Sequence, residues 1–126
     1  MIDGPLLLAL LIAATAIIII VAEAVIMFLF KLNSFTKSLA DSLMVNIGSF
    51  LLGVLLFLIF NKNEFEGVSS VSELLIFYFI TFVFEALLLK LLNDSILWQK
   101  LLPTSFVMNL VSFGALYFVI ALDISV

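Results

Sequence analysis

The chain has 126 residues, of which 66% are hydrophobic and 11% are charged, and its formal net charge at pH 7 is −4. A soluble domain carries charge on roughly a quarter of its residues, so this composition excludes an ordinary soluble fold. The chain has no cysteine and no histidine, so it lacks thiolate chemistry, the commonest metal ligand and the usual general base. Its five basic residues are too few to form a basic patch for nucleic acid.

Four apolar segments follow one another along the sequence, and each is about as long as a bilayer is thick. Strict alternation of apolar and polar residues is absent, and every segment exceeds the ~10 residues of a membrane β-strand. We therefore predict an all-α membrane protein that forms one four-helix domain over residues 1–126. The transmembrane helices are expected at about 5–30, 43–60, 74–92 and 101–122.

The first two segments carry their polar side chains near the same connection. Glu23 is the only charged residue of the first segment and lies eight residues before Lys31, a distance of ~12 Å at the α-helical rise. In the second segment, Asn46 lies nine residues after Lys37, at a similar depth. Ser38 is followed three residues later by an aspartate, which is typical of a capping box and predicts the start of the second helix.

The third and fourth segments carry the same kinds of polar side chain in the same order. Glu85 lies five residues before Lys90 in the third segment, and Thr81 lies one turn away on the same helix face. In the fourth segment, Asn109 lies nine residues after Lys100. We therefore expect the two carboxyl and two carboxamide groups in one layer of the bilayer, displaced toward the first and third connections.

The polar positions recur at a nearly constant offset. Glu23-Ala24 is followed 62 residues later by Glu85-Ala86. Three further positions recur after 63 residues, so that Ser42, Asn46 and Ser49 match Ser105, Asn109 and Ser112. We interpret this as an internal duplication with halves at 1–66 and 67–126. The first and third helices then run in the same direction, which predicts two parallel-related helical hairpins around a pseudo-two-fold axis along the membrane normal.

The repeated groups form the candidate intramembrane polar site. A stripe of small and polar residues on an apolar helix is expected to face neighbouring helices, which it allows to approach closely. An acid at this depth without a basic partner is either protonated or neutralised by a cation, and carboxylate, amide and hydroxyl oxygens suit hard cations such as Na⁺, Mg²⁺ or Ca²⁺. No cofactor, catalytic residue or metal ligand is assigned. The candidate residues are Glu23, Glu85, Asn46, Asn109, Ser49, Ser112, Ser42, Ser105 and Thr81.

Two functions agree with this polar layer. The first is a non-enzymatic structural or assembly subunit of a membrane complex, in which interhelical hydrogen bonds of ~0.6 kcal/mol each order the bundle. The alternative is a small transporter or channel for an ion, a proton or a solute, because ionisable groups within a membrane mark functional sites. The expected partners are the lipid bilayer and either further copies of the chain or other membrane subunits, with a hard cation or a proton as the candidate ligand and no nucleic acid.

The lysines predict the orientation of the chain. Lys31, Lys37, Lys90 and Lys100 flank the first and third connections, whereas Lys62 alone lies in the second. By the positive-inside rule, the connections between helices 1 and 2 and between helices 3 and 4 are cytoplasmic, and both termini lie outside. We expect an integral protein of the cytoplasmic membrane, which is the inner membrane if the organism is bacterial.

Overall fold

The computed structural model describes residues 3–59 and 71–124, and α-helices account for most of them. Four helices are found in these residues, and all four are long and apolar enough to cross a membrane. The prediction of an all-α protein with four helices of membrane-spanning length is therefore confirmed for the described residues. The helices are α1 (Gly4–Leu29), α2 (Phe35–Ile59), α3 (Val71–Leu92) and α4 (Trp98–Ile124).

Local chemistry determines where α1 begins and ends. Pro5 lies in its first turn, where the missing N–H leaves no intrahelical hydrogen bond unmade. After the last turn, Lys31 adopts a left-handed conformation with a φ of 56°. The amide of Leu32 then donates to the carbonyl oxygen of Met27 at 3.0 Å. This arrangement ends the helix and returns the Leu32 side chain to the buried core, so the chain reverses within a short connection.

The helix α2 begins earlier than the apolar pattern indicated. Its first residue is Phe35, and the hydroxyl oxygen of Ser34 accepts a hydrogen bond from the Lys37 amide at 3.4 Å. The expected capping box at Ser38 is therefore wrong, because Ser38 and Asp41 lie inside the helix and are buried. The polar start of α2 is accommodated because Asp41 contacts polar groups of the connection between α3 and α4.

The helix α4 also begins ahead of its expected start. It starts at Trp98, so Pro103 lies inside the helix rather than in its first turn. A proline at this position removes one backbone donor from the helical ladder. The neighbouring Thr104 hydroxyl donates to the Lys100 carbonyl oxygen at 2.7 Å, which gives one carbonyl of this turn a side-chain partner.

Each helix packs against two neighbours, and the four helices form a ring. The helices α1 and α3 each contact both α2 and α4. Large apolar side chains cover the outward faces, and lipid tails are as apolar as these side chains. The buried apolar core lies at the end of the bundle near the α1–α2 and α3–α4 connections and comprises Met27, Leu32, Val45, Leu89, Leu101 and Met108.

Candidate functional site

Glu23 lies in the C-terminal half of α1, and its side chain is fully buried. One carboxyl oxygen, Oε2, accepts hydrogen bonds from Asn46 Nδ2 at 2.5 Å and from Ser42 Oγ at 3.1 Å. The other oxygen, Oε1, accepts a hydrogen bond from the hydroxyl group of Ser112. Three donors from α2 and α4 therefore surround a carboxyl group that is removed from the surface of the bundle.

Glu85 on α3 is 3% exposed and has two side-chain donors. Ser49 Oγ on α2 donates to Oε1 at 2.6 Å, and Asn109 Nδ2 on α4 donates to Oε2 at 2.7 Å. Each oxygen of this carboxyl group therefore has one donor, and the donors come from two different helices.

The two carboxyl groups connect all four helices through side-chain hydrogen bonds. The helix α2 supplies Asn46 to the carboxyl group of α1 and Ser49 to that of α3. The helix α4 supplies its asparagine to the carboxyl group of α3 and its second serine to that of α1. Each acid is therefore bound both within its own hairpin and to the other hairpin.

The remaining predicted site residues have partly different partners. Besides Glu23, Ser42 Oγ contacts a backbone carbonyl oxygen of α1 at 2.8 Å. Ser105 Oγ donates to the Phe82 carbonyl oxygen of α3 at 3.3 Å. Thr81 Oγ1 donates to a carbonyl oxygen one turn earlier in its own helix at 2.9 Å. Ser105 and Thr81 therefore make backbone hydrogen bonds rather than joining either carboxyl group.

A cavity of about 400 Å³ lies beside the polar layer, and residues from all four helices line it. It extends away from the α1–α2 and α3–α4 connections, because its lining residues on α1 all precede Glu23 in the chain. Its apolar wall includes Ile12, Ala16, Phe50, Phe113 and Leu116. The polar lining residues are Thr15, Asn46, Ser49, Thr81, Glu85, Asn109 and Ser112.

The two acids differ in their relation to this cavity. Glu85 lines the cavity, whereas Glu23 is not among the described residues that line it. Asn109 also lines the cavity and is fully buried; its Nδ2 donates both to Glu85 and to the Ser105 carbonyl oxygen, the latter at 2.9 Å. The Asn109 Oδ1 atom has no hydrogen-bond partner in the part of the chain that the structure describes. Two neighbouring residues with acceptor groups therefore line the cavity, and the Oδ1 atom of one of them is buried and unpaired among the described residues.

A second polar cluster, which sequence reasoning missed, lies at the other end of the bundle. Asp41 Oδ2 accepts hydrogen bonds from Asn93 Nδ2 at 2.8 Å and from Asn33 Nδ2 at 3.4 Å. Lys37 Nζ lies 3.0 Å from the same oxygen and 3.0 Å from Asn93 Oδ1. Asn33 also donates to Asn93. This cluster ties the first connection and the start of α2 to the end of α3.

Two further repeats in the sequence signal residues that were missed. Leu32-Asn33 follows α1 and Leu92-Asn93 spans the end of α3, and both asparagines belong to the cluster around Asp41. Phe50 and Phe113 directly follow the second serine of each polar motif, and both line the cavity. The cavity itself has no sequence signal, because its volume depends on the spacing between helices.

The polar side chains around the cavity can donate and accept hydrogen bonds. Among the described residues there is no group of three or more histidine, cysteine, aspartate or glutamate side chains that would hold a metal ion. The groups that line the cavity are a carboxyl group, carboxamides and hydroxyls above an apolar wall. Such groups orient a ligand by hydrogen bonds and compensate charge.

Comparisons with known proteins give no match: no family model, no curated protein and no solved structure is similar to this chain. Its function is therefore argued from the residues and their geometry.

Proposed function

We propose that this protein is a small, non-enzymatic membrane carrier that binds a solute in the cavity between its four helices. The observation on which this proposal rests is that Glu85 and Asn109 line a cavity of about 400 Å³ whose wall is largely apolar. Small-molecule sites combine a few convergent polar groups with an apolar wall in this way. Ionisable side chains within a membrane are rare and commonly belong to substrate or ion pathways.

The different ends of the bundle favour a carrier over an open pore. At the end near the α1–α2 and α3–α4 connections, the buried apolar core and the cluster around Asp41 occupy the space between the helices. The cavity lies on the other side of the polar layer. We propose that the closed end is cytoplasmic, because four of the five lysines flank the connections there. A carrier closed on one side releases its solute by a change in helix packing.

Blocking the cavity tests the proposal. Ala16 on α1 lines the cavity, whereas Ala14 lies on the opposite face of the same helix and is not among the lining residues. The melting temperature of the detergent-purified protein is measured with sodium chloride, magnesium chloride, phenethylamine hydrochloride or phenethyl alcohol. We expect at least one compound to raise it, because a ligand that binds only the folded state stabilises it. The Ala16→Phe variant should lose the increase, and Ala14→Phe should retain it.

Uptake into vesicles completes the test. The compound that stabilises the purified protein should enter vesicles containing the wild type faster than protein-free vesicles, and Ala16→Phe should abolish the difference. If none of the four compounds stabilises the wild type, or if Ala16→Phe responds as Ala14→Phe does, the proposal of a solute site in this cavity is wrong.

The second candidate is a structural or assembly subunit, and Glu23 favours it. This acid is fully buried and has three side-chain donors, which is what a purely structural link between helices requires. The partners would be further copies of the chain or other membrane subunits. Native mass spectrometry of the protein in mild detergent tests this role. A wild-type complex of fixed subunit number that persists in Ala16→Phe would favour assembly over transport.

We also propose that the two hairpins arose by duplication and are related by a pseudo-two-fold axis along the membrane normal. Support comes from the partners of the two acids. Glu23 accepts from Asn46 of its own hairpin and from Ser112 of the other. Glu85 accepts from Asn109 of its own hairpin and from Ser49 of the other. The backbone contacts of Ser42 and Ser105 also match, because each reaches a carbonyl oxygen three residues before the acid of its own hairpin.

A further inference from the structure

We infer that the solute is an organic monocation, an ammonium group attached to an apolar body, and that Glu85 and Asn109 bind its N–H groups. This inference rests on the proposed function and specifies the ligand of the same cavity. The observations that carry it concern residues that line one cavity: a carboxyl group without a basic partner among the described residues, a neighbouring amide whose buried oxygen is unpaired, and an apolar wall.

The charge of the site favours a cation. Glu85 receives hydrogen bonds from Ser49 and Asn109, both of which are neutral. The one salt bridge among the described residues joins Lys37 to Asp41 at the far end of the bundle. Two other lysines, Lys90 and Lys100, donate to backbone carbonyl oxygens of the connections. An acid in this position is neutral when it is protonated and needs a cation when it is ionised, and a cationic ligand supplies that charge.

The unpaired atom at the site requires a donor. Asn109 uses its Nδ2 group on Glu85 and on a backbone carbonyl oxygen, which orients its Oδ1 atom away from both. Oδ1 has no partner among the described residues, and a buried polar atom without a hydrogen bond is costly. An ammonium group carries up to three N–H donors, so it can serve the Glu85 carboxylate and Asn109 Oδ1 together.

The size and lining of the cavity favour an organic body over a bare metal ion. A single water needs only about 10–15 Å³ of such a cavity, whereas this one has about 400 Å³. The described residues also provide no cluster of three histidine, cysteine, aspartate or glutamate side chains. Ile12, Phe50, Phe113 and Leu116 supply apolar surface that a metal ion would leave without a contact.

A groove in the seam between α2 and α3 extends the same surface. This groove has a volume of about 210 Å³ and shares Ser49 and Thr81 with the cavity. Its other lining residues are apolar or glycine and include Leu52, Gly53 and Ile80. Ser49 and Thr81 therefore lie between the cavity and a largely apolar groove on the side of the bundle.

Ligand chemistry is tested first on the wild type, so that the result does not depend on a variant folding. Binding to the detergent-purified protein is measured by calorimetry for phenethylammonium, its N,N,N-trimethyl analogue, phenethyl alcohol and sodium ion. We expect phenethylammonium to bind at least about tenfold more tightly than the alcohol, because a buried hydrogen bond to a charged group is worth that factor or more. The trimethyl analogue should bind more weakly than phenethylammonium, because it has no N–H group for Asn109.

Two matched variants then locate the binding group. Glu85→Gln removes the charge at the cavity and should weaken phenethylammonium binding at least about tenfold. Glu23→Gln makes the same chemical change at the acid that does not line the cavity. The affinity of this variant for phenethylammonium should remain within about threefold of the wild-type affinity.

The outcomes separate this inference from the proposed function. If phenethyl alcohol binds as tightly as phenethylammonium, or if sodium alone binds, the ammonium assignment is wrong while a solute site remains. Equal losses in Glu23→Gln and Glu85→Gln would also overturn the assignment of the ligand to Glu85. If none of the four compounds binds the wild type, the proposed function itself fails.

Discussion

The hydroxyl group of Ser112 has one hydrogen and two acceptors within reach, the Glu23 carboxyl group and the Met108 carbonyl oxygen at 3.0 Å. Ser42 is placed in the same way between Glu23 and a carbonyl oxygen of α1 at 2.8 Å. One hydroxyl hydrogen cannot serve two acceptors at full strength. A side chain at position 23 that accepts from Asn46 and donates to Ser112 would satisfy these groups better than a pure acceptor would.

This count of hydrogens predicts a difference between two substitutions of Glu23. Glu23→Gln should leave the free energy of unfolding within about 0.5 kcal/mol of the wild type, since a carboxamide retains one acceptor and adds a donor. Glu23→Ala should cost about 2 kcal/mol, because three interhelical hydrogen bonds of ~0.6 kcal/mol each are lost. Reversible unfolding by denaturing detergent measures both values. Equal losses for the two variants would show that the size of the side chain, rather than its hydrogen bonds, matters at this position.

Sequence reasoning named the residues of the polar layer because a polar side chain in an apolar span must find a partner inside the protein. It did not separate Glu23 from Glu85, since both occupy equivalent positions in the repeated motif. Their difference appears only in the tertiary structure. Glu23 has three side-chain donors and does not line the cavity, whereas Glu85 has two donors and lines it. No spacing rule contains this information.

Among the helices, the contact between α2 and α3 depends on a close approach at one glycine. A Cβ atom at Gly48 would lie 2.6 Å from Leu88 Cδ1, and 3.6 Å from an atom of the Phe84 ring. Small residues permit such approaches between transmembrane helices. One turn further along α2, Gly53 has no atom within 4 Å of the same position. The two glycines therefore have different roles in the same helix.

We predict that Gly48→Ala destabilises the protein and that Gly53→Ala does not. The added methyl group at position 48 must displace the end of the Leu88 side chain, and overpacking of this kind costs about 1 kcal/mol when a flexible side chain can move. At position 53 the methyl group enters open space, so the change should be neutral or slightly stabilising. Thermal unfolding of the two variants in the same detergent compares them directly. A larger loss for Gly53→Ala would contradict this account of the α2–α3 contact.

The number and order of the helices in the described residues followed from apolar length alone, but the starts of α2 and α4 did not. Hydropathy places the beginning of a span at the first continuous run of apolar residues. The helix α2 instead begins at Phe35 and includes the buried polar residues Ser38 and Asp41. These residues are stable in a helix because Asn93, from the far end of α3, donates to Asp41 at 2.8 Å. Contacts between distant parts of the chain therefore extend the helix beyond what local hydropathy predicts.

On the scale of the whole molecule, the two ends of the bundle carry different chemistry. Lys31, Lys37, Lys90 and Lys100 lie at one end, close to the cluster around Asp41, and the cavity lies toward the other end. Positive charge near the ends of spans is retained on the cytoplasmic side during insertion. The proposed carrier would therefore take up its solute from outside.

This orientation is testable because the chain contains no cysteine, so a single introduced cysteine reports its own position. Asp3 and Ser95 are exposed at opposite ends of the bundle, and Ser38 is buried within it. In intact cells, a membrane-impermeant maleimide should label Asp3→Cys, and it should label Ser95→Cys only after the membrane is permeabilised. Ser38→Cys, the buried control, should remain unlabelled in both conditions until the protein is denatured. Labelling of Ser95→Cys but not Asp3→Cys in intact cells would reverse the orientation and with it the side from which the cavity is reached.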